Sequence, residues 1–473
     1  MTLSTGSPGA PGAPGPPGTA AEDDEPAPTP RKVAAAAAVG ATIEWYDFFL
    51  YGTAAGLVFD KLFFAGLDGP AAQFAAFGTF AVGFLARPLG GLVFGHFGDR
   101  VGRKTMLLLT LVMMGLATAA IGLLPTYDQI GVWAPVALVL LRVLQGIAVG
   151  GEYGGAVLLA VEYAPGSRRG FFGSFAHVGV PAGLLLAAGA FSLAGQLPDE
   201  AFLAWGWRAC FVASLALLAI GAWIRLSVLE TPAFARIREQ QEISTLPVRD
   251  LLREQPGRLL LGMGTRLIEG FNFNLFAVYL LAYTAGDLGL PRQWALDGIL
   301  VGAALGVVLV PVAGAVSDRI GRKRVFRAGT WAAALLAFPL AALVQSGTQA
   351  GVFWAMVLGL GVVQGVVYGP LAAFWAELFD TRYRYTALSA LYQVSGIVAS
   401  GITPLVAAAL VVMGSGTLWW VAGYHVAVAS LSLLSARFLP ETRGRDLDAP
   451  RGTAVPSLPR ATAGARGGAG RAA

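Results

Sequence analysis

The chain is short of cysteine, histidine and charge. It has one cysteine, Cys210, three histidines, and Asp, Glu, Lys and Arg at only 13% of 473 residues. A single cysteine forms no internal disulfide and no cysteine metal cluster, so Cys210 is expected as a small packing residue. Three scattered histidines supply no zinc-enzyme ligand set. Soluble domains carry about a quarter charged residues, so a chain with half that share is not one. No nucleophile–base set, metal cluster or Gly-rich phosphate loop marks an enzyme. No metal and no cofactor is expected.

What the chain has instead is apolar residue: 56% of it is hydrophobic, with a mean hydropathy of +0.64. Such a chain reads as an integral membrane protein. A bilayer core of roughly 30 Å takes about 20 helical residues. Twelve apolar runs meet that length, near 33–59, 72–95, 105–125, 131–161, 171–196, 207–228, 259–284, 294–316, 325–345, 351–376, 387–413 and 418–438. Backbone groups in lipid must be satisfied within the segment, so these runs are expected as helices. The opening stretch, "MTLSTGSPGAPGAPGPPGTAAEDDEPAPTP", has no apolar core and reads as a disordered tail rather than a signal peptide. The organisation expected is a tail over 1–32, a six-helix bundle over 33–228, a central loop over 229–258, a second bundle over 259–438 and a tail over 439–473.

The net charge of +5 would suit nucleic acid if the basic residues formed a patch. They do not. Arg31, Lys32, Arg100, Arg103, Lys104, Arg168, Arg169, the central loop arginines, "RIGRKR" at 319–324, Arg382 and Arg384 all fall on one side of an even number of spans. Lys61, Arg208 and Arg292 are nearly all that falls on the other. The positive-inside rule then places both termini in the cytoplasm of a plasma-membrane protein. Nucleic acid is not an expected partner. The expected partners are the bilayer, a small solute and protons, with the chain acting as a monomer.

The two halves repeat. "GHFGDRVGRK" at 95–104 returns as "GAVSDRIGRK" at 314–323, so Gly95, Asp99, Arg100, Gly102, Arg103 and Lys104 match Gly314, Asp318, Arg319, Gly321, Arg322 and Lys323. Gln145-Gly146 returns as Gln364-Gly365 at the same offset of 219 residues. A repeat of two six-helix halves is a transporter signature.

This doubled loop resembles the signature of the major facilitator superfamily. More narrowly, "GATIEWYDFFLYG", "RVLQGIAVGGEYGGAVLLAVEYAPGSRRGFFGS", "LETPAF" and "LPETRGRDL" resemble its metabolite:proton symporter family, whose members carry shikimate, 2-oxoglutarate, aromatic acids, proline or betaine. The resemblance covers about 33–446. It implies an all-α membrane fold of twelve helices in two six-helix bundles, opening alternately to either side of the membrane. It also implies proton-coupled uptake of a small metabolite.

Two carboxylates lie within the first span. Glu44 and Asp47 are three residues apart, on one helix face and near mid-depth. An ionisable residue this deep is a functional candidate with a partner to be named. Arg142 of the fourth span lies at similar depth, and related sugar:proton symporters pair a first-helix acid with such an arginine. Burial favours a neutral carboxyl and a nearby guanidinium favours a charged one, so competition for Arg142 would change proton affinity. Asp47 is expected to couple protons, with Glu44 and Arg142 beside it. Structural polar packing is the alternative.

Other polar positions suit a solute site. Arg87 sits in the second span, Glu152 among glycines in the fourth, and Arg266, Glu269 and Asn272 at three-residue steps in the seventh. The last three face either a solute or one another as an internal pair. Tyr51, Gln364 and Tyr368 are further candidates. His177 is expected as a hydrogen-bonded structural histidine. Buried arginines favour a carboxylate-bearing organic acid, because a guanidinium grips a carboxylate with two parallel bonds. A proline or betaine symporter and a drug:proton antiporter remain as alternatives. The tail lacks the heptads of osmosensing members, and "GVPAGLLLAAG" lacks the Gly-Pro pair usual in antiporters. In the family, charges at the cytoplasmic surface close that side when the cavity faces out. That implies a gate of the two repeated loops together with Glu162, Arg168, Glu230, Glu377, Arg382 and Glu441, or charge that sets topology alone.

Overall fold

Amides in hydrocarbon bond within their own segment, and the apolar runs accordingly form helices throughout. A computed structural model describes residues 29–67, 69–101, 103–150, 153–228, 247–380, 384–445 and 447, without the side chains of 91–101, 103–107, 224–228, 247, 248 and 250. Its long helices are α1 Pro30–Leu57, α2 Gly69–Val101, α3 Arg103–Gly122, α4 Trp133–Glu162, α5 Gly166–Ala194 and α6 Asp199–Trp223. The second half supplies α7 Pro256–Gly286, α8 Arg292–Ile320, α9 Arg322–Gln345, α10 Gln349–Leu378, α11 Arg384–Met413 and α12 Trp419–Phe438. Among the described residues eleven of these are long and apolar enough to cross a membrane, and α3 contributes a shorter apolar stretch, Leu108–Gly122.

Two details differ from the sequence reading. The sixth helix starts at Asp199, a turn or two before the expected 207, because Asp199 and Glu200 favour a helix N-terminus. A widened π turn at Phe202–Gly206 carries it into the apolar run. The central loop contains a short helix, Pro247–Glu254, which buries Leu251 and exposes Arg253 and Glu254.

Small residues set how closely the helices approach. On α5, Gly183 leaves room for the Trp45–Tyr46 backbone of α1. Gly170 of α5 and Gly314 of α8 meet backbone to backbone, and a side chain on Gly170 would strike Ser317 Oγ at 2.6 Å. The α5–α8 seam therefore joins the two halves. α7 lies at the centre: 94% of its apolar window is buried, against 28% for α6 on the rim. Gly321 separates α8 from α9 at φ +112°, a backbone region in which glycine alone is at ease. Widened turns also interrupt α7 at Leu275–Tyr279, α10 at Val357–Val363 and α11 at Ile397–Gly401. Such turns release backbone carbonyls from the helix ladder, and one of them is used below.

Candidate functional site

In the first half, Asp47 and Phe48 of α1, Gly83 and Arg87 of α2, Met114 of α3 and Arg142, Gln145, Gly146 and Val149 of α4 line one cavity. Asp47, Arg87 and Arg142 are each at most 3% exposed. Gly83 makes room for Arg142: a side chain there would stand 2.9 Å from Cζ of the guanidinium. That guanidinium lies 4.0 Å from the ring centre of Tyr51 and 4.8 Å from that of Phe48. Arg87 lies over Phe84 at 4.3 Å and Phe48 at 4.7 Å. Ring faces offset part of the desolvation of a buried cation. They leave N–H groups unused: Nε and Nη2 of Arg142 and Nη2 of Arg87 are buried without hydrogen-bond partners.

The expected direct pairing of Asp47 with Arg142 is replaced here by an indirect one. Among the described residues no ion pair joins them. Arg142 Nη1 donates to Gln145 Oε1 at 3.0 Å, and Gln145 Nε2 donates to Thr118 Oγ1 at 2.7 Å. The Thr118 hydroxyl donates to the Met114 carbonyl at 2.9 Å and lies near enough to the Asp47 carboxyl to act on it, as Glu44 does through space. The aromatic cage holds Arg142 on Tyr51, and the Gln145–Thr118 pair spans the remaining gap. Sequence reasoning missed Thr118 in this role, and saw Gln145 only as half of a repeated pair. Tyr51, a solute-site candidate, supports Arg142 with its ring and donates its hydroxyl to Thr79 Oγ1 at 2.6 Å.

In the second half, the expected α7 face is present and paired internally. Arg266 and Glu269 form a buried ion pair. Gln364 Nε2 donates to Glu269 Oε1 at 3.2 Å, and Asn272 Nδ2 donates to Gln364 Oε1 and to Gly359 O, both at 3.0 Å. Gly359 lies in the widened turn of α10, which frees its carbonyl. Arg266 also stacks on Tyr392 at 4.1 Å.

Between the halves lies an aromatic cluster that has no periodic signature in the sequence. Tyr153 of α4 stacks on Tyr392 of α11 at 3.4 Å, and His177 of α5 stacks on Tyr368 of α10 at 3.8 Å and 3°. His177 Nδ1 faces the Tyr368 carbonyl at 3.1 Å, where α10 breaks at Gly369-Pro370, and Nε2 meets the Tyr153 hydroxyl at 2.8 Å. A carbonyl only accepts, so Nδ1 carries the proton and Nε2 accepts from Tyr153. His177 is the expected hydrogen-bonded histidine, and its bond to the Tyr368 carbonyl reaches across the two halves.

The face that carries the repeated loops is closed by charge. Asp318 accepts from the backbone N–H groups of Gly170 and Phe171 at 2.8 and 2.9 Å, at the N-terminal end of α5, where the helix dipole favours an anion. Buried Arg322 bonds Asp318 at 2.5 Å and Glu377 at 3.1 Å. Glu441 accepts from the backbone of Arg322 and Lys323 at the start of α9, and Lys323 Nζ closes the carbonyl end of α12 at Arg437 and Leu439. Glu162 pairs with Arg384 at 3.2 Å, a partner the sequence reading counted only as topology charge. Arg445 bonds the carbonyls of Glu377 and Leu378. Burial, together with the Arg258 and Arg384 guanidiniums, holds it below the usual guanidinium range. Arg168 and Arg319 are exposed. Gly102, Glu152, Glu230 and Arg382 lie outside the described residues, as do the side chains of Asp99, Arg100, Arg103 and Lys104 and all but the helical backbone of Gly95.

The opposite face is also bridged. Arg292 of α8 reaches Asp199 at 2.5 Å and the Gly195 carbonyl at 3.1 Å, and Gln293 donates to Ser192 Oγ of α5 at 2.6 Å. The polar site thus lies between two faces that bonds bridge among the described residues.

Comparison with known proteins shows the family of the chain. The family model described as Major Facilitator Superfamily matches residues 37–400 and 311–465. The shikimate transporter of Escherichia coli (strain K12) is 40% identical over 420 residues, covering 87% of this chain and 95% of that protein. The proline/betaine transporter of the same strain is 37% identical over 433 residues, covering 88% and 85%. The crystal structure of a D-xylose-proton symporter superposes with a TM-score of 0.67 at 20% identity, covering 88% of this chain and 99% of that one. That last likeness is one of fold.

Proposed function

The chain belongs to the major facilitator superfamily, and from that premise we propose that it is a proton-coupled symporter taking up a small carboxylate-bearing metabolite by alternating access. One observation carries the reading. Two buried guanidiniums, Arg87 and Arg142, keep unpartnered N–H groups in a cavity they share with Asp47, the one carboxylate among its described lining residues. Buried donors without partners are costly, and a substrate carboxylate would satisfy them.

Charge balance supports coupling. Arg87 and Arg142 stand against Asp47 and the neighbouring Glu44. Protonating Asp47 leaves one positive charge in excess, and a carboxylate restores neutrality. Proton and anion then each favour the other's binding, as linkage requires. Arg266, Glu269, Asn272, Gln364 and Tyr368 form the opposing wall. Bundles over 33–228 and 259–438 rock about this site, and the charged face, cytoplasmic by the positive-inside rule, serves as the reversible gate. One chain supplies both halves, so the transport unit is a monomer.

A second reading, a zwitterionic osmolyte such as proline or betaine, is favoured by the 37% identical relative. Its carboxylate would use the same arginines. Proteoliposome uptake of shikimate, 2-oxoglutarate, proline, betaine and xylose, recorded with external pH, separates these readings. The expected result is uptake of a carboxylic acid with alkalinisation of the medium. Preference for xylose, or uptake without proton movement, would sink the proposal.

A further inference from the structure

Asp47 and Arg142 share a cavity without touching, so any coupling between them needs a carrier. The donors and acceptors on the path have only one consistent assignment. Arginine donates and never accepts. The carbonyl oxygen of Gln145 therefore faces Arg142, at 3.0 Å, and its amide nitrogen faces Thr118, at 2.7 Å. The Thr118 hydroxyl is obliged to accept from Gln145 and has a single hydrogen left to give. Two acceptors compete for it: the Met114 carbonyl at 2.9 Å, one turn back on α3, and the carboxyl of Asp47, whose Oδ1 is buried and without a partner. A charged Asp47 draws that hydrogen toward itself. A protonated Asp47 supplies its own, and the Thr118 hydrogen returns to Met114. A hydroxyl that donates to an anion becomes a better acceptor, so the change passes through Gln145 to Arg142.

The internal repeat provides an independent comparison. At the 219-residue offset, Gln145 corresponds to Gln364, and Thr118 corresponds to Ala337. On the first helix of each half the offset is 225 residues, so Asn272 stands where Asp47 stands, and it bonds Gln364 directly. The half with Asn272 in place of the aspartate has no hydroxyl at this position, and its Gln364 bonds Glu269 directly. The half with Asp47 has both the aspartate and the hydroxyl. Among the described residues, the other charged groups near Asp47 are Glu44 on α1, Arg87 on α2 and Arg142 on α4, and α3 contributes no ionisable side chain over Leu108–Gly122.

We propose that Thr118 and Gln145 are positioning residues that form a hydrogen-bonded relay, transmitting the proton occupancy of Asp47 to the guanidinium of Arg142. The proposal rests on the reading of Asp47 as the coupling acid. It predicts a hydroxyl requirement at 118 that packing alone does not impose.

The test uses the full chain in proteoliposomes, with Thr118→Val, Thr118→Ser and Asp47→Asn beside wild type. Shikimate, 2-oxoglutarate and proline are the transport probes. Thr118→Val is isosteric, so counterflow should stay within about twofold of wild type, whereas accumulation driven by an inward proton gradient should fall at least tenfold. Thr118→Ser should restore it. A substrate-free readout accompanies this: the infrared carboxyl band that titrates in wild type and vanishes in Asp47→Asn should shift in Thr118→Val and return in Thr118→Ser. An unmoved band, or gradient-driven accumulation by Thr118→Val equal to wild type, overturns the relay. If Asp47→Asn also accumulates normally, the coupling reading itself fails and the relay falls with it.

Discussion

Arg142 occupies a site that gives it rings to lie on and too few acceptors. Its Nη1 is satisfied by Gln145 while Nε and Nη2 are not. Lysine would keep the charge and lose the planar fork that meets a carboxylate with two bonds. Arg142→Lys is expected to raise the half-saturation concentration for the transported solute by about tenfold or more, since losing part of a buried charged contact costs about 2–5 kcal/mol. Arg87→Lys should act in the same direction. A concentration series of initial uptake rates checks both, and an unchanged half-saturation in each would remove the arginines from the site. Depth along a helix is legible in a sequence, which is why Asp47, Glu44 and Arg142 stood out together. Direction around the helix axis is less so, and it decides that Arg142 lies over Tyr51 with Gln145 and Thr118 between it and Asp47.

At the scale of elements, the twelve helices and their two-fold repeat were legible because the bilayer imposes a length and backbone satisfaction imposes a helix. The α7 face was legible too, since three-residue steps keep Arg266, Glu269 and Asn272 together. The cluster of Tyr153, His177, Tyr368 and Tyr392 was not, because its four rings come from four helices and no spacing links them. That cluster makes a prediction of its own. His177→Phe keeps the ring on Tyr368 and removes the bonds to Tyr153 and to the Tyr368 carbonyl. Loss of the buried bond that crosses to the Tyr368 carbonyl costs about 0.5–1.5 kcal/mol, and it falls on the form in which the halves meet there. Cysteine labelling from the charged face should therefore become faster in His177→Phe. Labelling at the wild-type rate would reduce the cluster to packing. The α5–α8 seam behaves differently: Gly170→Val would drive methyls against Ser317 and Arg322. A lower melting temperature and lost transport are expected, because overpacking a tight seam costs about 1–3 kcal/mol.

For the whole molecule, bonds between the halves bridge both sides of one polar site. Asp318 holds the end of α5 from the other half and shares Arg322 with Glu377, so opening must part bonds between the halves while Arg322 keeps a partner within its own half. Asp318→Asn should express normally, lose most gradient-driven uptake and favour the form open on that face. Transport at the wild-type rate would leave these charges a topological role alone. The repeated loop motif made this face legible from sequence. The pairing of Glu162 with Arg384 was hidden, because it joins residues of opposite halves that no local pattern connects.

All of this turns on whether Asp47 carries the proton that drives uptake. The most direct measurement compares wild type and Asp47→Asn in proteoliposomes under an inward proton gradient, following substrate content and internal pH together. Asparagine keeps the shape and removes the titratable group. Wild type should accumulate substrate above the external concentration as the interior acidifies. Asp47→Asn should stop at equilibration, with no proton entry. Accumulation and proton entry in Asp47→Asn equal to wild type would contradict it.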